Sequence, residues 1–188
     1  MLGLKRIGQS LAFAATLALL AGAPAPAEAA RAAAINRDAS AALARLYQQV
    51  PAANKLAKQA KAVLIFPSVV KGGLIIGGQY GDGVLRKRGK TVGYCNTTAV
   101  SYGLQAGAQS FGYVLLFMSN DSLKYLDKSD GWEIVVGPSV VVLDEGMAKS
   151  LTTTTARDDV YAFIFSQTGL MAGLGLQGSK ITKIQPDK

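Results

Sequence analysis

The sequence contains no histidine and a single cysteine, Cys95. Without histidine the chain has no Ser-His-Asp or Cys-His triad and no histidine metal ligand. One cysteine excludes an intramolecular disulfide and a cysteine-rich zinc site. Cys95 also lacks the histidine that would activate it as a nucleophile. These absences exclude histidine-based catalysis and histidine or cysteine-rich metal sites, and they fit the expectation of a protein that is not an enzyme and has no catalytic residues, no metal and no cofactor.

Acidic residues are also few: 12 acidic residues stand against 20 lysines and arginines, which gives a net charge of +8. Such a charge attracts nucleic acid, anionic lipid or acidic polymers and does not choose among them. Hydrophobic residues make up 49% of the 188 residues, so the composition is not that of a disordered chain. The length suffices for one domain with a substantial core.

Residues 1–29 have the pattern of a secretory signal peptide. Lys5 and Arg6 precede an apolar run from residue 11 to residue 21, and a small-x-small motif ends at Ala29. The apolar run is shorter than the roughly 20 residues that cross a bilayer, although an uncleaved anchor is the alternative. We expect cleavage after Ala29, export to the periplasm or beyond, and no nucleic-acid partner.

Residues 30–62 are predicted to form an N-terminal helical segment. Asp38 can cap a helix whose apolar residues recur at helical spacing up to Val50, and Pro51 breaks or restarts the helix. In the second part three lysines lie beside an alanine-rich face: Lys55, Lys58 and Lys61. This arc could contact lipid head groups, or it could be the solvated side of a helix that packs on a sheet.

Residues 63–185 are predicted to form a β-rich body, followed by a tail at 186–188. A Gly-Leu-x-x-Gly phrase occurs three times, at 73–77, 103–107 and 169–173, and glycine recurs there at even spacing. Because side chains alternate along a strand, each phrase predicts an aliphatic side and a glycine/glutamine side. The expected fold is α+β: a curved, mostly antiparallel, barrel-like sheet with the helical segment packed on it.

Two loops are candidate functional sites. Residues 86–90 carry four cations around Gly89 and indicate an exposed hairpin tip, which could bind phosphate or simply keep an edge soluble. The candidate lipid-binding residues are therefore Lys55, Lys58, Lys61, Lys71, Arg86, Lys87, Arg88 and Lys90. The second loop, 144–159, is polar, and its acidic pairs could bind a cation or act as acid and base; the pairs are Asp144 with Glu145 and Asp158 with Asp159. A solvated acidic loop is the favoured interpretation.

Residues 60–73, Ala-Lys-Ala-Val-Leu-Ile-Phe-Pro-Ser-Val-Val-Lys-Gly-Gly, resemble the opening signature of the SYLF-domain family. Four later phrases resemble the family in the same order: 77–84, 103–109, 137–138 and 169–173. The resemblance covers roughly residues 40–185. Several phrases in order are far more specific than any one of them.

The resemblance implies a lipid-binding module without catalytic residues. Eukaryotic members are associated with phosphoinositides and, in some cases, with actin, and they use a membrane-inserting amphipathic helix ahead of the domain. In this chain a predicted signal peptide and an alanine-rich helix occupy that position. The inserting helix is therefore not carried over, and an exported protein meets no actin. For this chain the resemblance therefore implies affinity for a lipid surface.

Three hypotheses follow. The first is a membrane-associated lipid-binding protein of the bacterial envelope, periplasmic or secreted, that engages anionic phospholipid through the basic helix and loop. The alternative is a structural or interaction protein that binds an envelope protein partner through its sheet. A hydrolase that uses the acidic loop is the third and least favoured.

Overall fold

The computed structural model describes residues 27–73, 76–102, 107–128, 132–133, 140–143, 158–170 and 179–186. Its helices are α1 (Ala27–Gln49), α2 (Pro51–Ala57) and α3 (Asn120–Lys128). Its strands are β1 (Ala62–Gly73), β2 (Ile76–Lys87), β3 (Lys90–Tyr102), β4 (Gly107–Phe117), β5 (Trp132–Glu133), β6 (Val140–Leu143), β7 (Val160–Leu170) and β8 (Lys180–Ile184). The expected α+β class is confirmed.

The strands form one mixed sheet in the order β5-β8-β3-β2-β1-β4-β7-β6. Among the described pairings, six are antiparallel and only β6 with β7 is parallel. The mostly antiparallel sheet is as expected. The barrel-like closure is not found in the described pairings, since these leave the sheet open with β5 and β6 at its ends.

The central strand β1 is interrupted by a bulge around Pro67. Its pairing with β4 shifts register between Phe66 and Val69, and its pairing with β2 shifts between Ile65 and Val70. Proline cannot donate to a ladder, so inside a sheet it is tolerated at such a bulge. The extra residue changes the alternation, so Leu64 and Phe66 before the bulge face the same side as Val69 and Lys71 after it.

Each face of the sheet carries its own core. Helices α1 and α2 pack on one face through Ile35, Ala39, Ala42, Leu46, Val50, Ala53 and Leu56, against Ile65, Val84, Val114, Leu116, Phe163 and Phe165. The other face buries a second cluster that includes Leu123 and Leu126 of α3 together with Leu64, Phe66, Val69, Phe111, Tyr113 and Ile164. The predicted helical segment therefore packs on the sheet.

The start of α1 differs from the prediction. The helix begins at Ala27, so Asp38 lies inside it and does not cap it; instead Asp38 accepts a hydrogen bond from its neighbour Arg37. The preceding alanine-rich stretch explains the earlier start, because alanine has the highest helix propensity. The predicted cleavage site after Ala29 falls in the first turn of α1. Pro51 does restart the helix, at the first turn of α2.

Where the structure describes the Gly-Leu phrases, their glycines lie at the ends of strands and not inside them as predicted. Gly73 ends β1 and pairs with Gly77 at the start of β2, so the first phrase joins two strands. Most of the second and third phrases lies outside the described residues, but Gly107 begins β4 and Gly169 is next to the end of β7. Both have a positive φ, 138° and 96°, which side chains larger than hydrogen disfavour. The positive φ therefore explains why these two positions are glycine.

A network around Asp82 holds the beginning of α1 on the sheet. Its carboxylate accepts hydrogen bonds from Arg31 Nη2 (2.7 Å), Tyr80 Oη (3.0 Å) and Asn96 Nδ2 (2.9 Å). Burial alone would raise the pKa of Asp82, but the donors Asn96, Arg31 and Tyr80 together outweigh burial and lower it. The carboxylate is therefore charged at neutral pH and ties α1, β2 and β3 together.

We expect Asp82→Asn to lower the free energy of unfolding at neutral pH by on the order of 1 kcal/mol, because charge-assisted hydrogen bonds are lost. A carboxyl whose pKa is lowered by folding stabilises the fold above its unfolded pKa of about 3.9 and stops doing so as the pH falls through the folded value. The difference from the wild type should therefore shrink below about pH 4. Urea unfolding followed by circular dichroism at several pH values measures it.

The matched control is Asp38→Asn, which removes an exposed carboxylate whose described partner is the adjacent Arg37. It should have little effect, as is typical of exposed ion pairs. Equal losses for the two variants, or a loss for Asp82→Asn that persists unchanged in acid, would contradict the role assigned to the network.

Candidate functional site

A pocket of about 390 Å³ lies between the end of α2 and the turn that joins β2 to β3. Three of the predicted cations line it: Lys58, Arg86 and Arg88. Its other lining residues are mostly apolar or small: Leu43, Tyr47, Asn54, Ala57, Ala60, Ala62, Val63 and Gly89. We call this site the basic pocket. It combines positive charge with an apolar wall in one cavity.

The β2–β3 turn places Arg88 beside the pocket. Lys87 and Lys90 are paired across the turn, which leaves Arg88 and Gly89 as a two-residue loop. Both have positive φ values, 50° and 76°. This is the pattern of a type I′ turn, whose twist matches that of an antiparallel hairpin. The turn is therefore the exposed hairpin tip that the sequence indicates.

Arg86 is fixed in place by α1. Its Nη2 donates to the Asn36 carbonyl oxygen and to Ser40 Oγ, both at 2.9 Å. Its Nε is buried and has no acceptor among the described residues. The guanidinium is therefore anchored at one end and keeps an unused donor.

Tyr47 adds a phenol to the wall of the basic pocket. Burial raises its pKa, while the positive charge of Arg86 acts in the opposite direction. The phenol is therefore neutral at physiological pH and can donate a hydrogen bond. Neither the sequence pattern nor the basic run indicated Tyr47 as a site residue, because its helical spacing is that of a core position.

The other predicted cations are divided between locations. Lys55, Lys61 and Lys90 are exposed, the first two near the α2 side of the pocket and the third at the turn. Lys87 lines a different pocket, because neighbouring residues of a strand face opposite sides of the sheet. The four cations of the basic run thus do not act as one cluster.

Lys71 corrects the predicted set. Its side chain is only 4% exposed, and it lies on the sheet face opposite α1. The bulge at Pro67 turns it inward, whereas uninterrupted alternation from Leu64 would have placed it on the side of α1. Lys71 is therefore not positioned to contact a membrane surface together with the α2 lysines.

The second pocket, also about 390 Å³, contains Cys95, Lys87, Tyr94, Asp127 and Lys183. Lys183 Nζ lies 2.6 Å from Asp127 Oδ1. Burial raises the pKa of Cys95 to about 12; Lys183 acts to lower it and Asp127 to raise it. The thiol is therefore protonated at neutral pH and a poor nucleophile. Over the described ranges, no three Cys, Asp or Glu residues are grouped closely enough to hold a metal ion.

The described part of the acidic loop makes structural contacts. Tyr161 Oη donates to Asp158 Oδ2 at 3.2 Å and accepts from the Asp158 backbone N–H at 3.0 Å. The Asp159 carbonyl oxygen accepts from the Met118 N–H at 2.8 Å. The Tyr161 contact is local to the start of β7, and the Met118–Asp159 bond holds that start near the end of β4. Asp144 and Glu145 lie outside the described residues.

An exposed apolar patch, whose exposure the sequence pattern did not indicate, lies on the α1 side of the sheet beyond the beginning of the helix. It consists of Val70, Ile76, Tyr80 and Val100, whose exposed fractions run from 53% to 66%. The paired glycines Gly72 and Gly78 lie on the same face. Aliphatic residues at every second position indicated an apolar face of the sheet. The sequence did not reveal whether the helices cover that face or leave it exposed. No helix in the described ranges has the length and hydropathy needed to cross a membrane.

Part of the chain matches the model of a known protein family. Residues 98–186 match the family model described as "Ysc84: Las17-binding protein actin regulator". This model is that of the SYLF domain, so the match confirms the resemblance to the SYLF-domain family over these residues. The family is one of binding domains, linked to lipids or to actin-regulating partners. No curated protein gives a significant match to the chain.

We expect Cys95 to resist thiol reagents in the native protein, because a buried thiol with a pKa of about 12 provides almost no thiolate at neutral pH. Ellman's reagent should detect almost no thiol in the folded wild type and one thiol per chain in guanidinium. The control is the double variant Val92→Cys with Cys95→Ala, which moves the thiol to an exposed position of the same strand. Rapid stoichiometric labelling of the native wild type would contradict the expectation.

Proposed function

We propose that this protein is a non-catalytic lipid-binding protein of the bacterial envelope that holds anionic phospholipid head groups in the basic pocket. The proposal includes export of the chain after cleavage following Ala29. The observation that carries it is the meeting of Lys58 with Arg86 and Arg88 in one cavity. The sequence placed these cations on two separate segments.

The chemistry of the basic pocket suits a phospholipid head group. Arginine donates to phosphate oxygens in a fixed fork, and Arg86 has a buried Nε that no described acceptor uses. Lys58 and Arg88 are exposed and can approach the same phosphate from the solvent side. The apolar wall formed by Leu43, Ala57 and other small side chains can accept the glycerol and the first methylenes of the acyl chains.

The surroundings of the pocket also favour a membrane surface. Lys55, Lys61 and Lys90 add exposed positive charge nearby, and each basic residue close to an anionic surface contributes about 1 kcal/mol. The family match supports a binding role over catalysis. The actin-regulating role in the family description does not suit an exported chain, which is why we favour lipid.

The test is flotation with phosphatidylglycerol vesicles at low salt, comparing the wild type with the double variant Lys58→Glu, Arg88→Glu. We expect the wild type to float and the variant to bind about thirtyfold more weakly, since two contacts of about 1 kcal/mol each are lost. Salt should release the wild type because the contacts are between exposed charges.

The matched control is Lys124→Glu with Lys180→Glu, which changes two exposed lysines outside the basic pocket and gives the same net charge. It should retain most of the wild-type binding. Equal losses in the two double variants would show that net charge alone matters. That result, or a wild type that does not float at low salt, would exclude the basic pocket as the lipid site.

The exposed apolar patch favours a second candidate function, binding of an envelope protein partner through the sheet. Contiguous exposed apolar surface is typical of interaction sites. Gly72 and Gly78 add to this argument, because a Cβ there would meet only Gly107 O at 3.8 Å and Ala99 O at 4.0 Å. The fold itself therefore does not require glycine at these two positions, whereas a flat partner approaching the backbone would.

For this candidate, the double variant Val70→Asp, Val100→Asp should abolish capture of the partner from envelope extracts while leaving vesicle flotation unchanged. Its control is Val92→Asp, which also places a carboxylate at an exposed position of the sheet but outside the patch. Affinity purification followed by mass spectrometry measures the capture. A partner that is retained by the patch variant, or lost equally with the control, would exclude the patch as its binding surface.

A further inference from the structure

The second pocket has an apolar floor on the α3 side of the sheet. Leu85 of β2 and Cys95 of β3 line the pocket, and both belong to the core cluster that contains Leu123 and Leu126 of α3. Their exposed fractions are only 4% and 1%. Ile184 of β8 adds a further apolar lining residue. The cavity of about 390 Å³ therefore reaches the hydrophobic core from the surface.

Gly93 leaves space in this cavity. It lines the pocket and is paired with Leu85, so a side chain at this position would point to the same face. A Cβ at Gly93 would meet no atom within 4 Å apart from its chain neighbours, and its φ is not positive. Glycine inside a strand lowers stability, and the backbone does not require it here. The cavity, and not the backbone, therefore explains the missing side chain.

Positive charge exceeds negative charge in the lining of the second pocket. Its described lining residues include two lysines, Lys87 and Lys183, and one carboxylate, Asp127, which gives a net charge of +1. Asp127 is already paired with Lys183 at 2.6 Å. None of the ion pairs among the described residues involves Lys87. The charge of Lys87 is therefore not compensated.

Lys90 adds to this excess of positive charge. Lys87 and Lys90 are directly paired across the β2–β3 turn, so their side chains point to the same face. Like charges that lie opposite each other on paired strands destabilise the pair. An anion bound beside Lys87 would reduce this repulsion. The hairpin thus favours a negatively charged ligand at the second pocket.

From this arrangement we propose that the second pocket binds a small amphipathic monocarboxylate, such as the anion of a medium-chain fatty acid. The carboxylate accepts a hydrogen bond from the ammonium group of Lys87. The alkyl chain lies on Leu85 and Cys95, in the space that Gly93 leaves.

The charge and the size of the second pocket select this class of ligand. A monoanion matches the net charge of the lining, whereas Asp127 would repel the second charge of a phosphate monoester. Small-molecule sites have volumes of roughly 300–1,000 Å³, so this cavity is at the lower end of the range. A single short chain therefore fits better than a lipid with two acyl chains.

This ligand is independent of the phospholipid proposed for the basic pocket. No described residue lines both pockets. The basic pocket lies beside α2, whereas the floor of the second pocket belongs to the cluster on the α3 side. A variant of the second pocket therefore leaves the proposed phospholipid site unchanged.

The experiment is a calorimetric titration of the full-length chain with octanoate. The wild type should bind one octanoate per chain. Octan-1-ol has the chain without the charge, and acetate has the charge without the chain. Each should bind at least about tenfold more weakly than octanoate, because one part of the proposed contact is missing.

Two variants of the second pocket have matched controls. Gly93→Leu should abolish octanoate binding by filling the cavity, whereas Thr98→Leu adds a leucine at an exposed position of β3 outside the pocket and should bind like the wild type. Lys87→Met should weaken binding about tenfold through loss of one hydrogen bond to a charged ligand. Lys180→Met changes an exposed lysine of β8 outside the pocket and should not weaken it.

A urea unfolding curve shows whether Gly93→Leu folds, and its midpoint should not fall below that of the wild type. No octanoate binding by the wild type, equal binding of octanoate and octan-1-ol, or unchanged binding in a folded Gly93→Leu would each overturn the proposal. If Gly93→Leu does not fold, unchanged binding in Lys87→Met overturns it instead. Flotation of Lys87→Met with phosphatidylglycerol vesicles, measured in parallel, distinguishes failure of this site from failure of the basic pocket.

Discussion

The bulge in β1 around Pro67 is the constraint on which the rest of the structure depends. β1 lies at the centre of the sheet, between β2 and β4. Because the bulge shifts the pairing register with both neighbours, it changes which of their residues lie opposite each residue of β1. Before the bulge, Leu64 and Phe66 fill the core on the α3 side; after it, Val69 and Lys71 occupy that side. The same shift turns Val70 outward. The bulge thus decides that Val70 is exposed on the α1 side and that Lys71 is buried on the opposite side.

The two ends of the sheet consequently have different roles. At the end near Phe117, both faces are covered, by α1 and α2 on one side and by α3 on the other, and buried aliphatic and aromatic side chains account for the packing. At the glycine-rich end, the α1 face is open and apolar, while the opposite face buries amides and a lysine. The packed side chains that stabilise the fold are therefore concentrated at the end near Phe117, where the basic pocket also lies, and the glycine-rich end carries the exposed apolar patch.

The binding sites proposed for this chain arise where separate segments meet. Lys58 follows α2, and Arg86 and Arg88 belong to the β2–β3 hairpin, but α1 brings them together by binding the guanidinium of Arg86 through Asn36 and Ser40. Anchoring reduces the freedom that a long side chain loses on binding a ligand. Burial keeps Cys95 protonated, so the thiol in the second pocket is a poor nucleophile.

The amino-acid sequence by itself determined the class of the fold, the helix that packs through Leu46 and Val50, the restart at Pro51 and the exposed hairpin tip, because each depends on local spacing, propensity or turn chemistry. The order of the glycine phrases also indicated the family. Only the tertiary structure decided which face of the sheet Lys71 points to. A one-residue shift moves every later side chain of a strand to the opposite face, and no local sequence pattern reveals such a shift. It likewise decided that the cations of the hairpin are split between two pockets, since the neighbours of a strand residue come from distant parts of the chain.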